Sequence, residues 1–411
     1  GCYMETIDMF RDLAIILIVA KCFGLLARKL HAPQVVGEII AGLIIGPSIL
    51  GWVQSGDFLT QMAEIGVILL MFSAGLETDL HEMVKTGPVA LIVALAGVIV
   101  PLAGGYAVYS AFYGWGAPGS DTFYSALFMG VILTATSVSI TVQTLRELGK
   151  LKGRVGTTIM SAAIIDDVIG ILVLTFVIGF KDPTQNPGQV VLSTVLFFLI
   201  CGVFGVLCYK GFKFLDKKYP HRRRIAIYGL ALCFLLAYVA EKFFGIADIT
   251  GAYVAGIILC NIRDSSYIAQ KMDISSYMLF GPIFFASIGL KTQIDGITPD
   301  ILWFTVCFIV VALLGKIIGC GGMAKLCKFN AKDSLRIGVG MMNRGEVALI
   351  VAQKGLAAGM VQPVFFSSVI ILIMVAAITT PIIMKLLYRK EPPESQEPKP
   401  KPEPEPMKSY L

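Results

Sequence analysis

Apolar stretches recur along this chain at about 10–30, 34–51, 58–76, 88–114, 123–145, 155–180, 189–211, 223–244, 246–262, 274–290, 299–327, 334–357 and 363–388. A helix needs roughly 20 apolar residues to cross a bilayer. Inside hydrocarbon only helices and closed barrels satisfy their own backbone polar groups. Thirteen such stretches joined by short loops therefore predict an all-α polytopic membrane protein with thirteen transmembrane helices. Composition agrees: 15% of the residues are charged, against roughly a quarter in soluble domains. The net charge of +6 does not point to nucleic acid, because the basic residues lie in short loops between spans. The first span follows an acidic opening, without the basic n-region and cleavage site of a signal peptide. Nine cysteines and three histidines show no zinc-type spacing, so no resident metal or cofactor is expected.

Lys and Arg in alternate loops set the orientation. Counting from the loop after the first span, the odd loops hold 23 of them and the even side with the N-terminus holds 5. Positive residues stay on the cytoplasmic side. The N-terminus is thus expected outside and the C-terminus in the cytoplasm. Beyond Tyr388 a Pro/Glu/Lys alternation cannot bury a core, and 391–411 reads as a disordered tail.

An internal repeat is visible. Gly37-Glu38-Ile39-Ile40-Ala41-Gly42 matches Gly251-Ala252-Tyr253-Val254-Ala255-Gly256, and Ser73-Ala74-Gly75-Leu76 matches Ser287-Ile288-Gly289-Leu290 at the same offset of 214 residues. The offset covers seven spans, an odd number, so the second copy is inverted in the membrane. Inverted repeats are a transporter architecture, with sites near the midplane at the repeat interface.

The chemistry concentrates in mid-span. Asp166 and Asp167 stand side by side in the sixth span. A charge at the bilayer centre costs roughly 2.5 kcal/mol or far more, so the pair is expected to bind something. The fifth span carries Thr134-Ala135-Thr136-Ser137, and the twelfth carries Met341-Met342-Asn343-Arg344-Gly345-Glu346. Both are poor helix interior, and both helices are predicted to break there and cross. Thr136 and Ser137 either bond back to their own helix or supply ligands. Arg344 and Glu346 either close the crossover as a structural ion pair or contact the substrate. Lys316 lies mid-way along the eleventh span, too deep to snorkel, and needs a carboxylate such as one of the aspartate pair. Glu38 and Glu64 either line an aqueous funnel or cap and pair helices.

Asp166-Asp167 after Ala-Ala-Ile-Ile, the upstream Ala135-Thr136-Ser137-Val138, the intramembrane Lys316, and Gly37-Glu38-Ile39-Ile40-Ala41-Gly42 with Gly46-Pro47 together resemble the bacterial sodium/proton antiporters of the monovalent cation/proton antiporter superfamily. The resemblance runs from about 10 to 388. It implies a homodimer with a dimerisation domain and a mobile six-helix core holding two crossed discontinuous helices. The dimerisation domain would comprise 1–87 and 223–298. The core would comprise 88–180 and 299–390, with 181–222 as linker. Asp167 would be the ion- and proton-binding carboxylate, Asp166 the partner of Lys316, and Thr136 a nearby hydroxyl. The double aspartate resembles the electrogenic branch; electroneutral relatives carry Asn at the first position, and glutathione-gated potassium relatives carry Gln.

The expected function is secondary antiport of cytoplasmic sodium or lithium for external protons in the plasma membrane. Its partners would be a monovalent cation, protons, the lipid bilayer and a second copy of the chain, with no nucleic acid. Asp167 and Asp166, with Thr136 and Ser137 near them, would bind Na+ through oxygen, and protons would compete at the same carboxylates. A potassium/proton antiporter is the alternative. An intramembrane aspartyl protease would need its carboxylates on separate helices, and channels favour rings of filter residues.

Overall fold

The computed structural model describes residues 6–391 apart from 31–33, 78–79, 182–185, 220–222, 245–247, 291–297, 346–347, 349–350, 353–354, 356–357 and 363. The side chains of some further helical positions, Asp167 among them, also lie outside that description. So do Glu346 and the Pro/Glu/Lys tail beyond 391.

Regular structure among the described residues is helical throughout. The helices are α1 (Thr6–Lys29), α2 (Gln34–Ile45), α3 (Asp57–Leu76), α4 (Leu80–Tyr113), α5 (Asp121–Thr134), α6 (Ser139–Glu147) and α7 (Arg154–Lys181). They continue with α8 (Pro187–Lys218), α9 (Arg223–Phe244), α10 (Asp248–Leu259), α11 (Ser265–Leu290), α12 (Pro299–Leu326), α13 (Ala331–Met341) and α14 (Val364–Leu387). Counting α5 and α6 as two halves of one crossing gives the thirteen spans expected. Among the described residues, seven helical stretches are long and apolar enough to cross a membrane by length and composition alone.

Several helices outrun their apolar stretch. α11 starts at Ser265 rather than 274, α4 at Leu80 rather than 88, and α8 reaches Lys218 rather than 211. Hydropathy marks where lipid ends, whereas hydrogen bonding carries a helix on into water. The twelfth span departs in the other direction: its α13 ends at Met341, and 342–345 are not helical.

Two sets of helices pack closely. In one, α1 lies on α2, α2 and α3 on α11, and α9 on α10, which in turn lies on α3. In the other, α4 contacts α5, α7 and α12, while α13 and α14 contact α12. α8 touches α7, α9 and α10.

The repeat has a physical counterpart in the first set. A Cβ on Gly256 would strike the Phe72 carbonyl and lie 2.7 Å from Gly75 Cα, so α10 and α3 touch backbone to backbone. A Cβ on Gly42 would lie 2.7 Å from Ala286 Cα, and one on Gly289 would lie 2.6 Å from the Gly42 carbonyl carbon. Gly42 and Gly256 are repeat equivalents, as are Gly75 and Gly289. The α2–α11 contact is therefore the pseudo-symmetric copy of α10–α3. Small residues let membrane helices approach this closely, because lipid supplies no hydrophobic drive between them.

Candidate functional site

α5 opens on a capping Ser120, whose hydroxyl accepts from the Phe123 N–H, and runs to Thr134. There Ala135 turns extended (φ −61°, ψ 137°), and helix resumes as α6 at Ser139. α13 opens on Asn330, which caps the Asp333 N–H, and stops at Met341. The two interruptions meet. The Ser137 N–H donates to the Asn343 carbonyl at 2.9 Å, and the Asn343 side-chain amide donates to the Ser137 carbonyl at 2.9 Å. Thr141 adds a bond from its hydroxyl to the Gly340 carbonyl at 2.8 Å. The Ser137 side chain lies against Gly345, where a Cβ would sit 2.7 Å from its Oγ.

Both half-helices end here on buried carbonyls without an intrahelical donor, the negative end of the helix dipole. Two buried cations answer them. The Arg344 guanidinium donates to the Leu133 carbonyl at 2.8 Å and to the Met342 carbonyl at 2.5 Å. The Lys316 ammonium donates to the Thr134 carbonyl at 3.0 Å and to Asp166 Oδ2 at 3.1 Å. Arg344 and Lys316 are both 0% exposed, and Asp166 is 2% exposed. Lys316 is the last residue before a π-helical turn, Ile317–Gly321, in α12. Such turns are often found at functional sites, and this one packs against α13 and α4.

Not every oxygen is used. Asp166 Oδ1, Thr136 Oγ1 and Asn343 Oδ1 are buried without a hydrogen-bond partner among the described residues. The Thr136 hydroxyl faces the Asp166 carboxylate but does not complete a hydrogen bond with it by distance and angle. Thr134, by contrast, bonds back to the Val131 carbonyl at 2.7 Å. Spare hard oxygens beside a carboxylate are what an alkali cation takes. No cluster of three His, Cys, Asp or Glu with metal-holding geometry occurs among the described residues.

The structure thus gathers Asp166, Lys316, Thr136, Ser137 and Arg344. Asp167 follows Asp166 in α7, with its side chain outside the described residues. Glu38 and Glu64 lie on α2 and α3. Glu38 is buried and accepts from the Gln34 side chain at 3.3 Å, while Glu64 is exposed. Asn343 lies in the stretch predicted to break, and the cost of an amide in mid-span is the one sequence signal that marks it as a site residue.

The two helix sets also meet at one face. Arg146, near the end of α6, contacts Glu77 beyond α3 at 3.1 Å and Asp273 of α11 at 3.7 Å, and donates to the Tyr277 hydroxyl at 2.8 Å. The Glu147 carboxylate accepts from the Gln34 N–H of α2 at 3.4 Å.

Residues 14–390 match the family described as sodium/hydrogen exchanger, transmembrane. The chain is 40% identical over 385 residues to the Na+/H+-K+ antiporter GerN of Bacillus cereus, covering 93% of this chain and 96% of that one. It is 32% identical over 384 residues to a Na+/H+ antiporter of Enterococcus hirae, covering 92% and 97%. Its fold is similar to that of the sodium proton antiporter MjNhaP1 from Methanocaldococcus jannaschii, with a TM-score of 0.75 at 16% identity, covering 96% of this chain and all of that one.

Proposed function

The chain belongs to the transmembrane sodium/hydrogen exchanger family, and from that premise we propose how this sodium/proton antiporter, a multi-pass membrane transporter and not an enzyme, carries out its exchange. Sodium and protons compete for the carboxylates of Asp166 and Asp167, in contact with the oxygens left free at the helix crossing. The observation that carries this reading is the fully buried Lys316–Asp166 pair, whose ammonium also takes the Thr134 carbonyl at the end of the interrupted α5. A buried pair of this kind is weak evidence for stability, and an intramembrane ionisable group is a functional site by default.

With the pair deprotonated, Asp167 with Asp166, Thr136 and backbone or water oxygens binds Na+. Protonation discharges the same carboxylates and releases it. A site carrying a neutralised charge crosses the hydrocarbon region at lower cost than bare carboxylates. The helices α4–α7 and α12–α14 then move as a core against α1–α3 and α9–α11, which form the dimerisation domain of a homodimer. Two protons exchange for one cation, so net charge moves in each turn and the cycle is electrogenic. The coupled groups titrate together. The basic face is cytoplasmic, so sodium leaves the cell as protons enter.

The test is dequenching of a proton-gradient dye in proteoliposomes, titrated with sodium, lithium and potassium. Saturable dequenching by sodium and lithium is expected. A response to potassium stronger than to sodium would favour potassium/proton exchange, and no response to any of the three would overturn antiport.

A further inference from the structure

The face that carries the end of α14 holds a polar cavity of about 260 Å³, well away from the helix crossing. We propose that it is a phosphate-binding site, held in this structure by the chain's own Glu391 carboxylate, which a phosphate group displaces.

Four cations line the cavity, Lys150, Arg154, Lys332 and Arg336, against two carboxylates, Asp333 and Glu391. Glu391 Oε1 accepts from Arg336 at 2.7 Å and lies 3.4 Å from the Lys332 ammonium, while Oε2 lies 3.8 Å from the Lys150 ammonium. One carboxylate thus sits among three of the cations. Arg154 lies over the Phe329 ring at 4.0 Å and has no carboxylate within ion-pair distance among the described residues. With Glu391 in place, two positive charges remain uncompensated. That surplus suits a dianion better than a carboxylate.

Arg336 carries a second sign of an unfilled site. It is 4% exposed and donates to Asp333, to the Leu387 carbonyl and to Glu391, yet its Nε–H is buried without a partner among the described residues. A guanidinium fork matches phosphate oxygens in geometry as well as charge.

The backbone points the same way. α7 begins at Arg154 and α13 at Ala331, and residues at both starts line the cavity. First-turn N–H groups have no partner within their helix, and the dipole there favours an anion; at α13 the Asn330 cap already takes the Asp333 N–H. Two helix N-termini and four cations converge on one small space. The same two helices lead inward to Asp166 and to the break before Asn343, each a rise of about 18 Å.

The experiment uses the full chain in detergent micelles and reads thermal unfolding at constant ionic strength. One arm titrates inorganic phosphate against chloride. The other dopes the micelles with phosphatidic acid against phosphatidylcholine. Stabilisation by inorganic phosphate assigns a soluble ligand, and stabilisation by phosphatidic acid alone assigns a lipid headgroup. In the responsive arm, Glu391→Gln removes the tethered competitor and is expected to lower the half-maximal concentration at least about fivefold. The Lys150→Gln/Lys332→Gln double variant is expected to abolish the response. Absence of stabilisation in both arms for wild type and Glu391→Gln would overturn the proposal, as would an undiminished response in the double variant.

Discussion

Ser137 and Asn343, 206 residues apart in sequence, hold each other by two hydrogen bonds of 2.9 Å, backbone N–H to carbonyl one way and side-chain amide to carbonyl the other. This pair is the crossing point of the two interrupted spans. It turns two locally weak stretches into one rigid joint and leaves the cations Lys316 and Arg344 to satisfy the carbonyls that the breaks expose.

Asn343→Ala is expected to lower stability by about 1–3 kcal/mol, because it leaves the buried Ser137 carbonyl without its donor. Thermal unfolding in detergent reads the loss, and exchange in proteoliposomes should fall with it. An unchanged melting temperature would show that the joint is held elsewhere.

Lys316→Gln strands a buried carboxylate and is expected to destabilise by about 3–5 kcal/mol. Removing the opposing charge as well, in Asp166→Asn/Lys316→Gln, is expected to restore most of that stability without restoring charge movement. If the double variant is no more stable than the single one, the 3.1 Å pair is not the interaction at stake.

The glycine contacts make a contrast. Gly256→Leu drives a side chain into the α3 backbone and is expected to cost about 1–3 kcal/mol or more. Gly202, within α8, has open space where a Cβ would go, so Gly202→Ala is expected to be neutral or to stabilise by up to about 1 kcal/mol. Melting temperatures of the two variants check both.

Glu391 supplies a pH dependence. Its hydrogen bond from Arg336 holds the carboxyl below its ordinary value, so the folded state favours the ionised form. The stabilisation is therefore present above the unfolded carboxyl pKa, about 4.3, and is lost as pH falls through the lower folded value. Wild type should melt above Glu391→Gln at pH 7, and the gap should close on acidification below about pH 4. A gap that widens with acid would reverse the sign and refute the pairing.

What could be read from the letters depended on how local the signal was. The thirteen spans, the inverted repeat and the two breaks all follow from hydropathy, glycine spacing and poor helix formers within a few residues. The need of Lys316 for a carboxylate followed from its depth alone. The partners of Arg344 did not: its charge meets backbone carbonyls from two breaks, and no sequence pattern marks a carbonyl as orphaned. The π turn after Lys316 is equally silent, since Ile317–Gly321 reads as ordinary apolar helix. The Arg146 network joins the two helix sets and the Glu391 network lies within one of them, and both join residues far apart in sequence that only the packing brings together.

The central claim is that sodium and protons compete at the Asp166–Asp167 pair. Solid-supported-membrane current, recorded on proteoliposomes after a sodium jump, tests it most directly. Wild type should give a transient current that shrinks as pH falls and protons occupy the site, and Asp167→Asn should give none. A sodium-driven current that survives in Asp167→Asn would contradict the account.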